Sequence, residues 1–294
     1  MKRLLLLACL ISAGTYAAFA AEQRIAFERD NSVYIANTTA SLVRKLGDGT
    51  FPAISPDSKT IAYTTVQRPD ADVRHPAVIA VATGAVRIFD KVPGDNSHHC
   101  AWSPDGAQIA FSLRADAIWH LGLIRADGTD FKFIRKGEQD KAALYSPCWA
   151  RDGKSIFCHD TTNIYRLALD GSVISEWKIS RLVPNGAMTA DGRLDVSPDG
   201  KRLLLSVDMD EEYNRPDWDG PVPALWSLDL GTEVAVRLTS KNLFAWEGCW
   251  LDNANLLFVS QPTGDKKTAV YRTDGKALAR LIENARYPTV SRDR

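Results

Sequence analysis

The chain lacks the short motifs that mark the common catalytic folds. Its 294 residues contain no His-Glu-x-x-His, no Gly-x4-Gly-Lys, no Gly-x-Gly-x-x-Gly, no Cys-x-x-Cys and no Gly-x-Ser-x-Gly. Each of these motifs places metal ligands, a phosphate cradle or a nucleophile at the spacing that its chemistry requires. No motif therefore points to zinc-peptidase, P-loop, dinucleotide-binding, thioredoxin-like or α/β-hydrolase chemistry.

An excess of charge of one sign is also missing, because 36 Lys and Arg balance 36 Asp and Glu. Proteins that bind nucleic acid or anionic lipid through charge carry a basic excess or patch, so we expect no nucleic-acid partner. The chain has no Pro- or Gly-rich linker and no low-complexity tract. After residue 20 no apolar run is long enough to span a membrane. One domain is expected.

Residues 1–20 have the pattern of a secretory signal peptide. A basic pair precedes an apolar stretch over residues 4–11, and Ala18-Phe19-Ala20 satisfies the small-x-small cleavage rule. We expect cleavage after Ala20, a periplasmic location and a mature domain over residues 21–294. Two alternatives stay open, which are an uncleaved membrane anchor and a lipoprotein modified at Cys9.

The most regular feature of the chain is a repeated phrase, in which an aromatic or aliphatic residue is followed by Ser-Pro-Asp-Gly or a variant and then by an apolar strand. Its copies begin 40 to 54 residues apart, at Ile54, Trp102, Trp149, Val196, Trp250 and Val290. Pro presets φ in a type I turn and Gly accepts the left-handed conformation that ends it. The phrase therefore predicts a turn between two strands and gives its Asp no catalytic role.

A repeat of this length with about four short strands is typical of one blade of a β-propeller. We therefore predict an all-β fold, a six-bladed β-propeller of four-stranded antiparallel blades. The last copy stops at the chain end, and residues 24–28, 32–36 and 42–46 supply three further strands. One blade is thus expected to be closed by pairing of the N- and C-terminal strands, which leaves the ring without an open edge.

Four cysteines follow the predicted signal peptide, at positions 100, 148, 158 and 249. An exported compartment permits disulfides, and four thiols allow three complete pairings. Cys148 and Cys158 are predicted on the first two strands of one blade, so theirs is the bond expected first. The alternative is four free thiols buried in the core.

Side chains near the start of the first strand of each blade are expected to gather around one mouth of the central channel. They combine aromatic, imidazole and charged groups: Phe51, His98, His99, Tyr145, Arg193, Trp246, Glu247 and Tyr287. Aromatic anchors among mixed charges in a concave opening favour recognition of a protein or peptide. We predict no catalytic residue, metal or cofactor. The alternatives are a metal ion on His98, His99 and Glu247, and proton transfer by His99, Arg193 and Tyr287.

The fifth blade carries an insertion over residues 208–220, with six acidic residues and one Arg. Clustered carboxylates suit Ca²⁺, although the spacing of an EF-hand is absent. A negative loop also suits a basic partner. We favour a solvated surface loop whose Trp218 folds back on the blade.

The phrase over residues 102–111, Trp-Ser-Pro-Asp-Gly followed by Ile-Ala-Phe, resembles the propeller repeat of the TolB family, and Arg237-Leu238-Thr239 also matches that family. The resemblance spans residues 22–294. It implies a non-catalytic periplasmic propeller whose central funnel binds an envelope protein or peptide, and we expect a monomer. TolB carries an α/β domain before its propeller, whereas we expect a propeller alone here. Prolyl-oligopeptidase-type peptidases have similar repeats, so the alternative is a propeller-fold enzyme, a polysaccharide lyase or a hydrolase.

Overall fold

The structure, a computed structural model, describes residues 23–66, 73–137 and 143–292. It consists of small antiparallel sheets, with one four-residue helix in the described part of the chain. The predicted signal peptide, residues 1–20, lies outside the described residues. No helix within the described ranges is long and apolar enough to cross a membrane.

The chain forms its strands in short consecutive runs. Those of the first three blades are β1 (Arg24–Arg29), β2 (Ser32–Asn37), β3 (Val43–Asp48), β4 (Thr50–Ile54), β5 (Thr60–Thr64), β6 (Pro76–Ala80), β7 (Val86–Ile88), β8 (Asn96–Trp102), β9 (Gln108–Ala115), β10 (Ile118–Arg125) and β11 (Lys132–Arg135).

The second half continues in the same manner after residue 143. Its elements are β12 (Tyr145–Trp149), β13 (Ser155–His159), β14 (Asn163–Ala168), β15 (Val173–Lys178), α1 (Ile179–Leu182), β16 (Gly186–Ala187), β17 (Leu194–Val196), β18 (Arg202–Met209), β19 (Val222–Asp229), β20 (Ala235–Arg237), β21 (Trp246–Trp250), β22 (Leu256–Ser260), β23 (Ala269–Thr273), β24 (Leu278–Glu283) and β25 (Arg286–Val290).

These strands form six sheets, which are the six blades of a β-propeller. The innermost strands are β25, β4, β8, β12, β17 and β21, and the others follow outward in chain order. We call the side on which the innermost strands begin the mouth face. The side on which they end, in the Ser-Pro-Asp-Gly turns, is the turn face. The predicted fold is confirmed.

The predicted closure of the ring is also confirmed. The C-terminal strand β25 pairs antiparallel with the N-terminal strand β1, in the order β25-β1-β2-β3. Ile25 lies opposite Val290 and Ala26 opposite Thr289. Beyond the paired residues, the Ser291 N–H donates to the Arg24 carbonyl at 2.9 Å.

The fifth blade departs from the pattern at its inner edge. Two short strands, β16 and β17, both pair with β18, where the other blades have one continuous innermost strand. Residues 188–193 loop between them, so Arg193 reaches the channel from a loop end. The long strands β18 and β19 of this blade carry the acidic insertion between them.

The repeated turn is held by its own side chains. In the third blade, Ser103 Oγ donates to Asp105 Oδ1 at 2.6 Å and accepts the Gln108 N–H at 2.9 Å. Equivalent Ser–Asp bonds form at Ser55 and Ser197. The Asp carboxylate therefore stabilises the turn, which is the structural role that the phrase predicts.

The core lies between neighbouring blades rather than inside any one of them. Trp149 of the fourth blade packs with Ala110 and Leu121 of the third. Its indole N–H donates to the Ala101 carbonyl at 3.1 Å, and Trp102 makes the equivalent bond to Ala53 at 2.9 Å. Each blade is therefore incomplete without its neighbours.

A disulfide between Cys148 and Cys158, the pair to be tested first, is not formed, and the alternative of free buried thiols is the one observed. All four described cysteines are free and buried. Cys148 lies opposite Phe157, so the next residue, Cys158, projects from the other face of the sheet. The two thiols belong to different inter-blade clusters, and burial raises the pKa of each to about 12.

Ser58 occupies the turn position at which three other blades have glycine. Its φ is +60°, close to that of Gly153 at +66°, and its buried hydroxyl has no hydrogen-bond partner. Ser58→Gly removes both the left-handed strain and the unpaired hydroxyl. We expect it to raise the free energy of unfolding by about 1 kcal/mol and the melting temperature by about 2 °C.

Thermal and urea unfolding of the purified protein measure this gain. Gly153→Ser is the matched control, because a Cβ there meets only Pro104 at 3.8 Å and its loss of stability reports the backbone alone. A variant Ser58→Gly that melts at or below the temperature of the parent would contradict the argument.

Candidate functional site

Five of the innermost strands carry a β-bulge three residues before the anchor of the repeat. At each one, two residues lie opposite a single residue of the adjacent strand. The first residue of each pair takes φ between +50° and +54°: Phe51, His99, Ser146, Glu247 and Tyr287. Since a bulge bends the strand and re-aims a side chain, these five residues form a ring around the channel.

Proline marks three of the five bulges. It follows the left-handed residue as Pro52, Pro147 and Pro288. Proline has no N–H for a ladder and is confined to edges and bulges of a sheet. Proline two residues before the anchor was therefore the sequence signal for the bulge.

At three of the five bulges, the backbone N–H of the left-handed residue donates to a side chain of the preceding blade. The Tyr287 N–H donates to Glu247 Oε2 at 2.7 Å, and the Phe51 N–H donates to Glu28 Oε2 at 3.2 Å. The Ser146 N–H donates to Oγ of a serine in β9 at 3.1 Å. A non-glycine residue in such a conformation costs about 1–3 kcal/mol. These bonds offset that cost and tie the blades together.

The bulge residues meet at a waist in the channel. The ring of Phe51 lies 4.5 Å from Tyr287 and 4.9 Å from His99, centroid to centroid. His99, Glu247 and Tyr287 are buried, at 7%, 3% and 5% exposure. All three lie within the innermost strands, whereas the sequence predicted them just before the first strand of each blade. They narrow the channel, whereas we expected an open mouth.

Glu247 is the buried acid of the waist. Arg286 donates to its Oε1 through both Nε and Nη2, and the Tyr287 N–H donates to Oε2. Burial raises the pKa of Glu247, while the Arg286 charge and these bonds oppose the rise. Arg286 itself is exposed on the mouth face.

On one side of the mouth face the half-buried rings form an aromatic arc of four residues: Phe51, His98, Trp119 and Tyr145. Successive centroids are 4.6, 4.8 and 6.1 Å apart. The arc crosses three blades. Sequence reasoning missed Trp119, which begins the third strand of its blade. That end of strand three lies beside the start of strand one, so an aromatic residue there was the available signal.

The opposite side of the mouth face combines charged side chains with two tryptophans. A cavity of about 170 Å³ lies between the fifth and sixth blades, lined by Asp191, Asp208, Trp246 and Arg286 among others. Trp218 of the insertion packs 5.8 Å from Trp246 and donates its indole N–H to Pro221. The Trp therefore folds back on the blade as expected.

Neither metal hypothesis finds a set of ligands. Among the residues that the structure describes, no group of three or more His, Cys, Asp or Glu is placed to hold an ion. The carboxylate of Glu247 forms a salt bridge with Arg286. In the acidic insertion, Glu211 pairs with Arg237 and Asp217 with Arg215.

The histidines of the mouth and waist are neutral at neutral pH. Burial lowers the pKa of His98 and of His159 to about 4, and that of His99 well below its usual 6.5. Burial also raises the pKa of Tyr287. The rings of His99 and Tyr287 are 6.2 Å apart. Proton transfer is most effective when the pKa lies near the working pH, and neither group meets that condition.

On the turn face of the waist the channel widens into a cavity of about 350 Å³. Trp102 and Trp149 form part of its wall, and the half-buried prolines of three turns surround its outer end. Its charged lining residues are Arg151, Arg193, Asp195 and Arg292. Arg193 was expected at the mouth; its Nη1 instead donates across the channel to the Pro288 carbonyl at 3.0 Å.

The six antiparallel blades and the pairing of the chain ends define the class of the protein as a six-bladed β-propeller. No protein-family model matches the chain. The crystal structure of TolB from Acinetobacter baumannii superposes on it with a TM-score of 0.68, covering 93% of this chain and 67% of that chain at 20% identity. A structure described as a TolB from Agrobacterium tumefaciens gives 0.60 over 89% of both chains at 16% identity. Its structural neighbours include TolB propellers and also an oligogalacturonate lyase and peptidase propellers, and identities this low show the fold alone.

A sequence relative comes from the peptidases. Dipeptidyl-peptidase 5 of Porphyromonas gingivalis is 27% identical over 120 residues, which cover 38% of this chain and 18% of the peptidase. The chain thus spans less than a fifth of the length of that relative.

Acid is expected to destabilise the protein through its buried histidines. His159 is fully buried; its Nε2 donates to the Gly192 carbonyl and its Nδ1 accepts the Thr161 N–H. Its pKa of about 4 lies below the unfolded value of about 6.5, so the unfolded chain binds the proton first as pH falls. Between about pH 7 and pH 5 this group alone removes about 2 kcal/mol of stability.

Urea unfolding at the two pH values tests this expectation. His159→Gln should lose about 2 kcal/mol less than the parent over that interval, whatever its stability at neutral pH. The same substitution at His75, a half-buried loop residue, controls for loss of a histidine elsewhere. An unchanged pH dependence in His159→Gln would show that this residue does not carry the effect.

Proposed function

We propose that this chain is an exported, periplasmic, non-catalytic propeller of the TolB type that binds an extended segment of an envelope protein across its mouth face. The observation that carries the proposal is the aromatic arc. Its four rings are in contact, half-buried and arranged over three adjacent blades. Half-buried aromatic side chains supply large contact area at a small cost in conformational entropy, which is why they dominate binding surfaces.

The charges of the mouth face support a segment with an apolar part and a polar part. The two imidazoles beside Phe51 are neutral at neutral pH, so apolar side chains can cover the arc without burying a cation. Across the mouth, exposed Arg286 and Asp191 offer a polar rim. Protein interfaces have this arrangement, an apolar anchor beside a polar rim.

The waist supports a partner that lies on the mouth rather than one that threads the ring. Phe51, His99 and Tyr287 contact one another along three adjacent blades and narrow the channel, and Arg286 pairs with Glu247 beside them. A segment entering from the mouth face meets these side chains. Their role in the proposal is to form the floor of the site.

A catalytic role has weaker support. His99 and Tyr287 are near each other, but the pKa of the first is far below neutrality and that of the second is raised. Ser146 Oγ shares a hydrogen bond with His99 Nδ1 at 3.1 Å, and no carboxylate orients that imidazole within the described residues. The pair lacks the third member that would activate it.

Photocrosslinking in cells tests the proposal. A photoreactive residue replaces Tyr145 on the arc or Trp246 on the opposite rim, and the reference position is Val236 on the outer strand β20, which is 58% exposed. We expect one envelope protein to be captured from both mouth positions and not from Val236. Trp119→Ala should abolish that capture, because it removes the centre of the arc.

Tyr213→Ala is the matched control, since it removes an exposed aromatic residue of the insertion and leaves the arc intact. Capture from Val236 as strong as from Tyr145, or capture that survives Trp119→Ala in a folded protein, would contradict binding at the arc.

A further inference from the structure

The cavity on the turn face of the waist carries a local excess of positive charge that the proposed peptide site does not use. Its charged lining residues are three arginines and one aspartate. The chain as a whole has equal numbers of cationic and anionic side chains, so the excess belongs to the cavity and not to the protein. Fixed charge of one sign in a concave site raises the local concentration of ligands of the other sign.

The single carboxylate of the cavity is already paired. Asp195 Oδ2 accepts hydrogen bonds from Arg292 Nη2 and from the Trp250 N–H. Arg151 and Arg193 have no carboxylate within 4 Å among the described residues. Burial raises the pKa of the Cys148 thiol to about 12, and both arginines oppose the rise, which places their charges within range of the same wall.

Part of the work of these arginines is structural. The innermost strand of a blade has no inner neighbour, so its carbonyls face the channel. Arg151 Nη2 donates to the Val196 carbonyl at the end of β17, and its Nε donates to the Ser197 carbonyl just beyond it at 3.1 Å. Arg193 Nη1 donates to the Pro288 carbonyl. A guanidinium has five N–H donors in a planar fork, so these bonds leave donors free. Carbonyl dipoles also leave the net charge of each side chain in place.

The rest of the cavity wall is apolar. The indole N–H groups of Trp102 and Trp149 donate to backbone carbonyls of the preceding blades. The carbon atoms of the two indole rings therefore remain available to contact a ligand. The volume of about 350 Å³ is at the lower end of the range for small-molecule sites. The aromatic waist bounds the cavity on one side, and half-buried turn prolines surround the other.

We propose that this cavity binds a small organic anion, a carboxylate on an apolar or aromatic body. The carboxylate is held by Arg151 and Arg193, and the body packs against Trp102 and Trp149. The site shares Phe51 of the waist with the aromatic arc, whereas His98, Trp119 and Tyr145 do not line the cavity.

Ligand-observed NMR titration of the purified mature chain tests the proposal with three probes that share a ring and differ in charge. Phenylacetate is expected to bind saturably with a Kd of about 1 mM or tighter, as suits a ligand of this size. Phenylacetamide and phenethylamine, its neutral and cationic analogues, should bind at least about tenfold more weakly.

Substitutions in the cavity test whether phenylacetate binds there. Arg151→Gln and Arg193→Gln should each weaken phenylacetate binding about tenfold. Asp195→Asn removes the one negative charge and should tighten binding about twofold. Arg125→Gln removes the same charge from an exposed hairpin and should change nothing. A folding defect weakens every variant alike, so the opposite signs at positions 195 and 193 exclude that explanation.

Trp119→Ala, which tests the peptide site, should leave phenylacetate binding unchanged, so the two proposals fail separately. Equal binding of the three probes, or unweakened binding in both Arg151→Gln and Arg193→Gln, would overturn the anion site. Absence of saturable phenylacetate binding would also overturn it, as would capture of an acidic peptide by the same arginines without competition from phenylacetate.

Discussion

The side chains of the waist depend on one interaction that recurs at three of the five bulges, the hydrogen bond from the N–H of the bulge residue to a side chain of the preceding blade. Glu28 accepts such a bond from the Phe51 N–H of the next blade, and Glu247 accepts one from the Tyr287 N–H. A bulge removes the N–H from its ladder, and a buried N–H without a partner is costly. The acceptor therefore stabilises the left-handed residue and fixes the angle between two blades at once. The side chains of the waist follow from that backbone.

The strand that closes the ring also positions residues of the mouth face and the waist. Strand β25 pairs with β1, and this one strand carries Arg286 to the mouth face and Tyr287 to the waist. Just beyond its end, Arg292 reaches across the channel to Asp195 of the fifth blade. The pairing that removes the open edge of the sheet thus supplies part of the mouth, the waist and the cavity.

The waist divides the channel into two chemically different halves. The mouth face presents neutral imidazoles and aromatic rings, because burial removes the proton from His98 and His99. The turn face presents uncompensated arginines, because a guanidinium stays charged when half-buried. The irregular inner edge of the fifth blade contributes to this difference. Strand β17 is three residues long, and Arg151 and Arg292 from other blades both donate to its Val196 carbonyl.

The sequence alone determined the blades, their number and their closure, because turn chemistry and strand period are local properties that repeat along the chain. It also selected Phe51, His99 and Tyr287, since repeat arithmetic places equivalent residues at one level of the ring. Only the tertiary structure decided that these residues contact one another and narrow the channel, that Trp119 joins the arc, and that Cys148 and Cys158 lie on opposite faces of a sheet. The physical reason is the bulge, because one extra residue re-aims a side chain and shifts the register of the strand. The direction of that side chain depends on hydrogen-bond acceptors that another blade supplies.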